Sequence, residues 1–184
     1  MSKSEAKFIT DIEKLRELAK TRMDQGVITE NYQANKDKLV ELLNIAHATE
    51  LICELRYKNH YYTCKEIGAK IAADEFLEHA QEERGHAEKI ANRIMQLGSI
   101  PKTDPNFIIN NSHAKYVECD NIKDMIRENL IAERIAVYTY RELIQYIGND
   151  DPTTRRMLED ILATEEEHVD DIQELSDEYQ VTVQ

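Results

Sequence analysis

FLEHAQEERGHAEKI, residues 76–90, is the stretch on which the fold turns. Phe76, Ala80, Glu83, Ala87 and Ile90 recur at steps of four and three, the spacing of a helix that buries one stripe against its neighbours. Ile94 and Leu97 continue the stripe and Gly98 supplies a stop, so a helix is predicted from about Lys65 to Leu97. Glu83 is out of place in it, because its position calls for an apolar side chain. An ionised carboxylate alone in an interior costs many kcal/mol until something neutralises it. Glu83 also opens the pattern Glu-x-x-His with His86, and residues three apart on a helix share a face.

The same anomaly occurs three more times. A first segment, about Asn31 to Tyr62, carries Leu39, Leu43, Ala46, Glu50, Cys53 and Tyr57 on its stripe. A third, about Asn121 to Ile147, carries Ile126, Leu130, Glu133, Val137, Tyr140, Ile144 and Ile147, with Gly148 after it. The fourth starts at Pro152 behind the cap Asp151, carries Leu158, Leu162, Glu165, Val169 and Ile172, and frays after Leu175. With 184 residues, five glycines, three prolines and a charged fraction of 32%, the chain reads as one all-α domain. Residues 1–30 are expected to be an N-terminal extension and 31–184 the bundle.

Short links between the first and second segments, and between the third and fourth, make two antiparallel hairpins. Residues Gly98 to Asp120 hold Pro101 and Pro105 and no helical stripe, so a structureless crossover is expected. At roughly 3.3 Å per extended residue it spans a bundle of thirty-residue helices, about 45 Å long. The predicted architecture is therefore an antiparallel four-helix bundle with a long crossover between helices two and three and an extra N-terminal helical segment.

The separations Glu50 to Glu83 and Glu133 to Glu165 differ by a single residue, so folding each hairpin brings its two carboxylates level. Glu165 opens a second Glu-x-x-His, ending at His168. Four glutamates and two histidines then face one another across a pseudo-twofold axis. Divalent iron accepts carboxylate and imidazole together, and four carboxylates balance two Fe²⁺ with both histidines neutral. Tyr57 and Tyr140 each follow a core glutamate by two helical turns, and they read either as amphipathic core filler or as redox-active residues beside the metals. Cys53 reads as a small buried residue, and His47, His60, His79 and His113 as ordinary histidines. Glu78 and Glu82 read as a solvated charge run or, more sharply, as an iron path. Gly85 inside a helix has no evident reason.

A formal net charge of -13 repels phosphates and anionic lipid and favours the gathering of small cations. Lys3, Lys7, Lys14, Arg16, Lys20 and Arg22 are interleaved with Glu5, Asp11, Glu13 and Glu17, so nucleic-acid binding is not expected. Cys53, Cys64 and Cys119 match neither a zinc motif nor a disulfide framework and read as free thiols. No apolar leader or spanning segment stands out, which points to a cytoplasmic protein with no membrane contact.

HATELICELRY, FLEHAQEERGHAEKI, NLIAERIAVYTYREL and ATEEEHVDDI together resemble the ferritin-like superfamily, and most closely the bacterioferritins, over about residues 35–175. The resemblance implies two iron ions per subunit, with Glu83 and Glu165 bridging, Glu50 and Glu133 terminal, and His86 and His168 binding one iron each. Tyr57 matches a tyrosine near the bacterioferritin site. The implied activity is a ferroxidase that oxidises Fe²⁺ with O₂ or H₂O₂ and stores ferric mineral in a homo-oligomeric cage. Haem-binding bacterioferritins carry a methionine directly after the first motif's glutamate, whereas Arg84 stands here, so no haem is expected. The tail after His168 is too short for the extra helix of 24-subunit shells, which favours a 12-mer, as in Dps-type mini-ferritins, over a 24-mer. Two rivals follow from the same bundle: a non-storing rubrerythrin-like peroxidase or manganese catalase, and a Dps-like DNA-protecting shell. The chain lacks the CxxC pairs of the usual rubrerythrin iron domain, and its net charge argues against DNA.

Overall fold

The computed structural model describes residues 11–21 and 23–182. Six helices are present and no strand occurs among the described residues: α1 Ile12–Thr21, α2 Lys36–Ile67, α3 Lys70–Gln96, α4 Pro105–Asn111, α5 Ile122–Ile147 and α6 Pro152–Glu178. The long helices α2, α3, α5 and α6 form the bundle, with α2 packed on α3 and α5 on α6 as the two hairpins. None of these helices is long and apolar enough to cross a membrane.

Local chemistry sets the boundaries, and it departs from the periodicity at both ends of α2, at the start of α3, which is Lys70 and not Lys65, and in the crossover. The first bundle helix begins at Lys36, because the side chain of Asn35 in extended backbone accepts from the Lys38 N–H and caps it. It ends at Ile67 and not near Tyr62, because Gly68, at φ 78°, takes the left-handed turn and returns its N–H to the last carbonyls. The crossover is not structureless: the Asp104 side chain accepts from the Phe107 N–H, Pro105 supplies the first turn, and α4 forms.

The crossover runs alongside α2 and is held to it along its length. The Lys102 N–H donates to Asn44 Oδ1 at 2.7 Å, and the His113 N–H to Thr49 Oγ1 at 3.0 Å. Farther on, Arg56 Nη1 donates to the Lys115 carbonyl at 3.2 Å, and His60 Nε2 lies 2.9 Å from the Val117 carbonyl. Successive anchors rise together along both segments, so the crossover travels parallel to α2. It delivers α5 to the end where α3 began, making those two helices parallel.

Two large apolar clusters fill most of the bundle, and a small third one joins Ile52, Cys53, Ala114 and Ala132. One large cluster contains Leu39, Leu43, Ile90, Ile94, Tyr140, Ile147 and Leu158. The other contains Tyr57, Phe76, Ala80, Met125, Ile126, Leu130 and Ile172. Between them lies a layer of polar side chains. The first end is also stapled by Arg93, which donates to both Asp151 oxygens at 3.0 and 2.9 Å and to Thr154 Oγ1 at 2.7 Å. Asp151 in turn caps α6 and accepts from the Tyr32 hydroxyl at 2.8 Å.

The N-terminal helical segment is α1, which buries none of its residues. Lys3, Lys7, Arg22, Glu5 and the start of the basic stretch lie outside the described residues, while Lys20 pairs with Glu17 at 2.7 Å.

Candidate metal centre

The six residues singled out by the helical pattern converge in the polar layer. Glu50 of α2, Glu83 and His86 of α3, Glu133 of α5, and Glu165 and His168 of α6 are each no more than 2% exposed. His86 Nδ1 lies 2.9 Å from Glu165, 3.4 Å from Glu50 and 3.7 Å from Glu83. His168 Nδ1 lies 3.5 Å from Glu133, 3.7 Å from Glu83 and 3.8 Å from Glu165. Two half-sites result, Glu50/Glu83/His86/Glu165 and Glu83/Glu133/Glu165/His168, in each of which the donor atoms lie within 4.8 Å of one another. Glu83 and Glu165 belong to both.

Whether this set fits metal is decided by the atoms left bare. Glu50 Oε2, Glu83 Oε1, His86 Nδ1, Glu133 Oε2, both oxygens of Glu165 and His168 Nδ1 are buried and have no hydrogen-bond partner. Buried polar atoms are almost always paired, and a concentration of orphans pointing at one another is the arrangement that cations satisfy. The donors are oxygens and imidazole nitrogens, which suits first-row divalent metals such as iron.

The tyrosines are in contact with the site, but crosswise. Tyr57 of α2 donates to Glu133 Oε1 of α5, and Tyr140 of α5 donates to Glu50 Oε1 of α2, at 2.5 Å in the second case. Seven residues along one helix is the position facing the glutamate of its antiparallel neighbour. Each hydroxyl occupies one carboxylate oxygen and leaves the other bare, whereas Glu165 keeps both free.

Sequence periodicity missed two contributors. His168 Nε2 is 2.7 Å from Glu82 Oε2, so that ring N–H donates outward and Nδ1 is directed to the centre. Glu82, its side chain 43% exposed, thus links the buried His168 to the solvated face of α3. His79 stacks on His168 with ring centroids 4.0 Å apart and 18° between planes, and its Nδ1 lies 3.2 Å from the Tyr57 hydroxyl. Both residues act on partners in other helices, which no single-helix pattern reveals. Arg56 is also buried here, its Nε donating to Asn129 Oδ1 at 2.9 Å. Cys53 is buried as expected and is not among the grouped donors. At Gly85 a side chain would meet nothing within 4 Å, so packing gives no reason for it.

With protons as the only cations, the layer balances itself. Burial pushes His86 and His168 down, but the facing carboxylates of Glu165 and Glu50, and of Glu133, outweigh it and raise them to about 9 and about 10. Burial and the neighbouring Glu50 charge raise Glu165 to about 8, and burial with Glu165 and Glu50 raises Glu83 well above the carboxylate range. Glu133 feels the same burial, yet the nearby His168 imidazolium and the Tyr57 hydroxyl hold it down at about 2. Near neutral pH, protons on His86, His168, Glu83 and Glu165 leave the six residues together uncharged. Two divalent cations replacing those four protons leave the total unchanged.

Comparison with known proteins agrees with this geometry. The ferritin-like domain model matches residues 40–180. The bacterioferritin of Rhodobacter capsulatus is 32% identical over 137 residues, covering 72% of this chain and 79% of that protein. The bacterioferritin of Desulfovibrio desulfuricans is 26% identical over 140 residues, 76% of this chain and 74% of that one. Among solved structures, the dodecameric thioferritin described as the bacterioferritin-related protein from Bacteroides fragilis superposes with a TM-score of 0.75 at 27% identity, over 91% of this chain and 95% of that one. The D. desulfuricans bacterioferritin, solved with its diiron site in different catalytic states, gives 0.71 at 25% identity, over 79% and 81%. A buried layer of four glutamates and two histidines, inside a bundle matched by that family along most of its length, leads to one conclusion: the chain belongs to the ferritin-like family, on its bacterioferritin branch.

Proposed function

We propose that this protein is a ferroxidase that takes up Fe²⁺, oxidises it with O₂ or H₂O₂ and retains the ferric product as mineral inside a homo-oligomeric cage. The observation that carries the reading is the set of buried donor atoms without partners on Glu50, Glu83, His86, Glu133, Glu165 and His168. Fe²⁺ is the substrate, and each ion gives up one electron to the oxidant. Glu83 and Glu165, shared by both half-sites, hold the pair together, while Glu50 with His86 and Glu133 with His168 complete one ion's ligands each.

The rest of the chain positions these groups. Tyr140 and Tyr57 fix the terminal carboxylates so that one oxygen of each faces inward. Each tyrosine is also one hydrogen bond from a carboxylate that would hold iron, a position from which a phenol can supply an electron and a proton together. Glu82 fixes the His168 tautomer. The apolar clusters on either side exclude bulk water, which strengthens the attraction of the carboxylates for cations.

Residues 31–184 are assigned to the bundle and 1–30 to an extension of it. A 12-mer is favoured, supported by the dodecameric relative that aligns over 91% of this chain. Arg84 pairs with Glu88 at 3.2 Å on the surface of α3, in the place where a haem ligand would be needed, so a haem-free protein of the cytoplasm is proposed. The test is aerobic addition of Fe²⁺ with iron counted per chain. Storage predicts retention of many irons per chain, whereas a plateau at two assigns the bundle to a non-storing peroxidase or catalase.

A further inference from the structure

A second cluster lies on the other side of the His168 ring. His79 Nε2 points away from the six-residue layer and lies 3.1 Å from Glu75 Oε1 and 3.5 Å from Asp171 Oδ2. His79 is 1% exposed, and Nε2 has no hydrogen-bond partner. The proton on its other nitrogen follows from the chain of contacts. Tyr57 gives its hydroxyl proton to Glu133, so the phenol oxygen is left to accept from His79 Nδ1–H at 3.2 Å. That tautomer puts a bare lone pair on Nε2, facing two carboxylates. The donor atoms of all three residues lie within 4.8 Å of one another.

We propose that Glu75, His79 and Asp171 form a third site for a divalent transition cation, distinct from the six-residue centre. Both distances to His79 Nε2 fit: an ion about 2.0–2.2 Å from each donor puts donors roughly 3.0–3.5 Å apart when the angles between them are near 90–110°. One imidazole nitrogen and two carboxylate oxygens suit Fe²⁺, Mn²⁺ or Zn²⁺, and waters complete the shell. Access is from solvent, since the Glu75 and Asp171 side chains are 29% and 45% exposed while the imidazole is sealed. The site takes its orientation from the centre, through the Tyr57 hydroxyl that Glu133 and His79 share. Its existence does not depend on what the centre does with iron.

Zn²⁺, which is redox-inert, is the probe. Equilibrium dialysis of the assembled protein at fixed pH, followed by metal analysis, should give three tightly bound Zn²⁺ per chain. Asp171→Asn and Glu75→Gln, both at partly exposed positions, should each give two, with the third ion weakened at least tenfold. Glu83→Ala should lose the central ions and keep the one at His79. Two ions in the wild type, unchanged in Asp171→Asn, would overturn the third site and leave the proposed ferroxidase standing. A third ion that survives both substitutions would overturn it as well. A single ion in the wild type that Asp171→Asn removes would support the third site and count against the central pair.

Discussion

His168 has three neighbours that leave it almost no freedom: Glu82 holds one nitrogen, His79 covers one face of the ring, and Glu133 lies before the other nitrogen. Groups that orient a metal-binding histidine typically contribute 10–100-fold to affinity. Glu82→Ala should therefore weaken Fe²⁺ binding at the His168 half-site by about that factor, leaving the His86 half-site near wild type; anaerobic Fe²⁺ titration resolves the two. Equal loss at both half-sites would contradict the assignment. Tyr57→Phe should act on the same half-site, because it strips Glu133 Oε1 of its donor, and Tyr140→Phe on the opposite one. The four glutamates stand out in the sequence as misfits in apolar stripes, since a helix repeats its faces regularly, and His86 and His168 follow from their spacing of three from two of them. Glu82 and His79 do not, because each contacts a partner on a different helix, and periodicity carries no information across helices.

At the scale of elements, the bundle depends on a few polar anchors at its ends and along its seam. Asp151 is 2% exposed, caps α6 and neutralises the buried Arg93. Asp151→Ala removes the cap and leaves a buried cation unpaired, which should destabilise the protein by about 3–5 kcal/mol in denaturant unfolding. A loss below 1 kcal/mol would mean that water already screens Arg93 there. The four long helices and a crossover that spans the bundle were readable from stripes and from linker reach. The short α4 and the extension of α2 to Ile67 were not read, although Asp104-Pro105 and Gly68 carry the signals. Single capping residues decide such boundaries, and they are weaker signals than a stripe repeated over many turns.

For the whole molecule, the polar layer makes stability depend on pH in a way that metal should abolish. In metal-free protein His86 and His168 are raised from 6.5 to about 9 and about 10, and Glu165 from 4.5 to about 8. Groups whose folded pKa is raised bind protons more tightly when folded, so their contribution is fully present below the unfolded pKa and is lost as pH rises through the folded one. Metal-free protein should accordingly lose Tm steadily between about pH 6 and pH 10, whereas protein loaded with Zn²⁺ should change far less. Parallel curves for the two forms would show that the layer does not exchange protons for metal. Iron-edge anomalous diffraction from crystals grown anaerobically with ferrous salt tests the central claim most directly. Within the six-residue layer of each chain two maxima should appear, both between Glu83 and Glu165, one beside His86 and the other beside His168. Crystals with no maxima there, or with those carboxylates turned out to solvent, would contradict it.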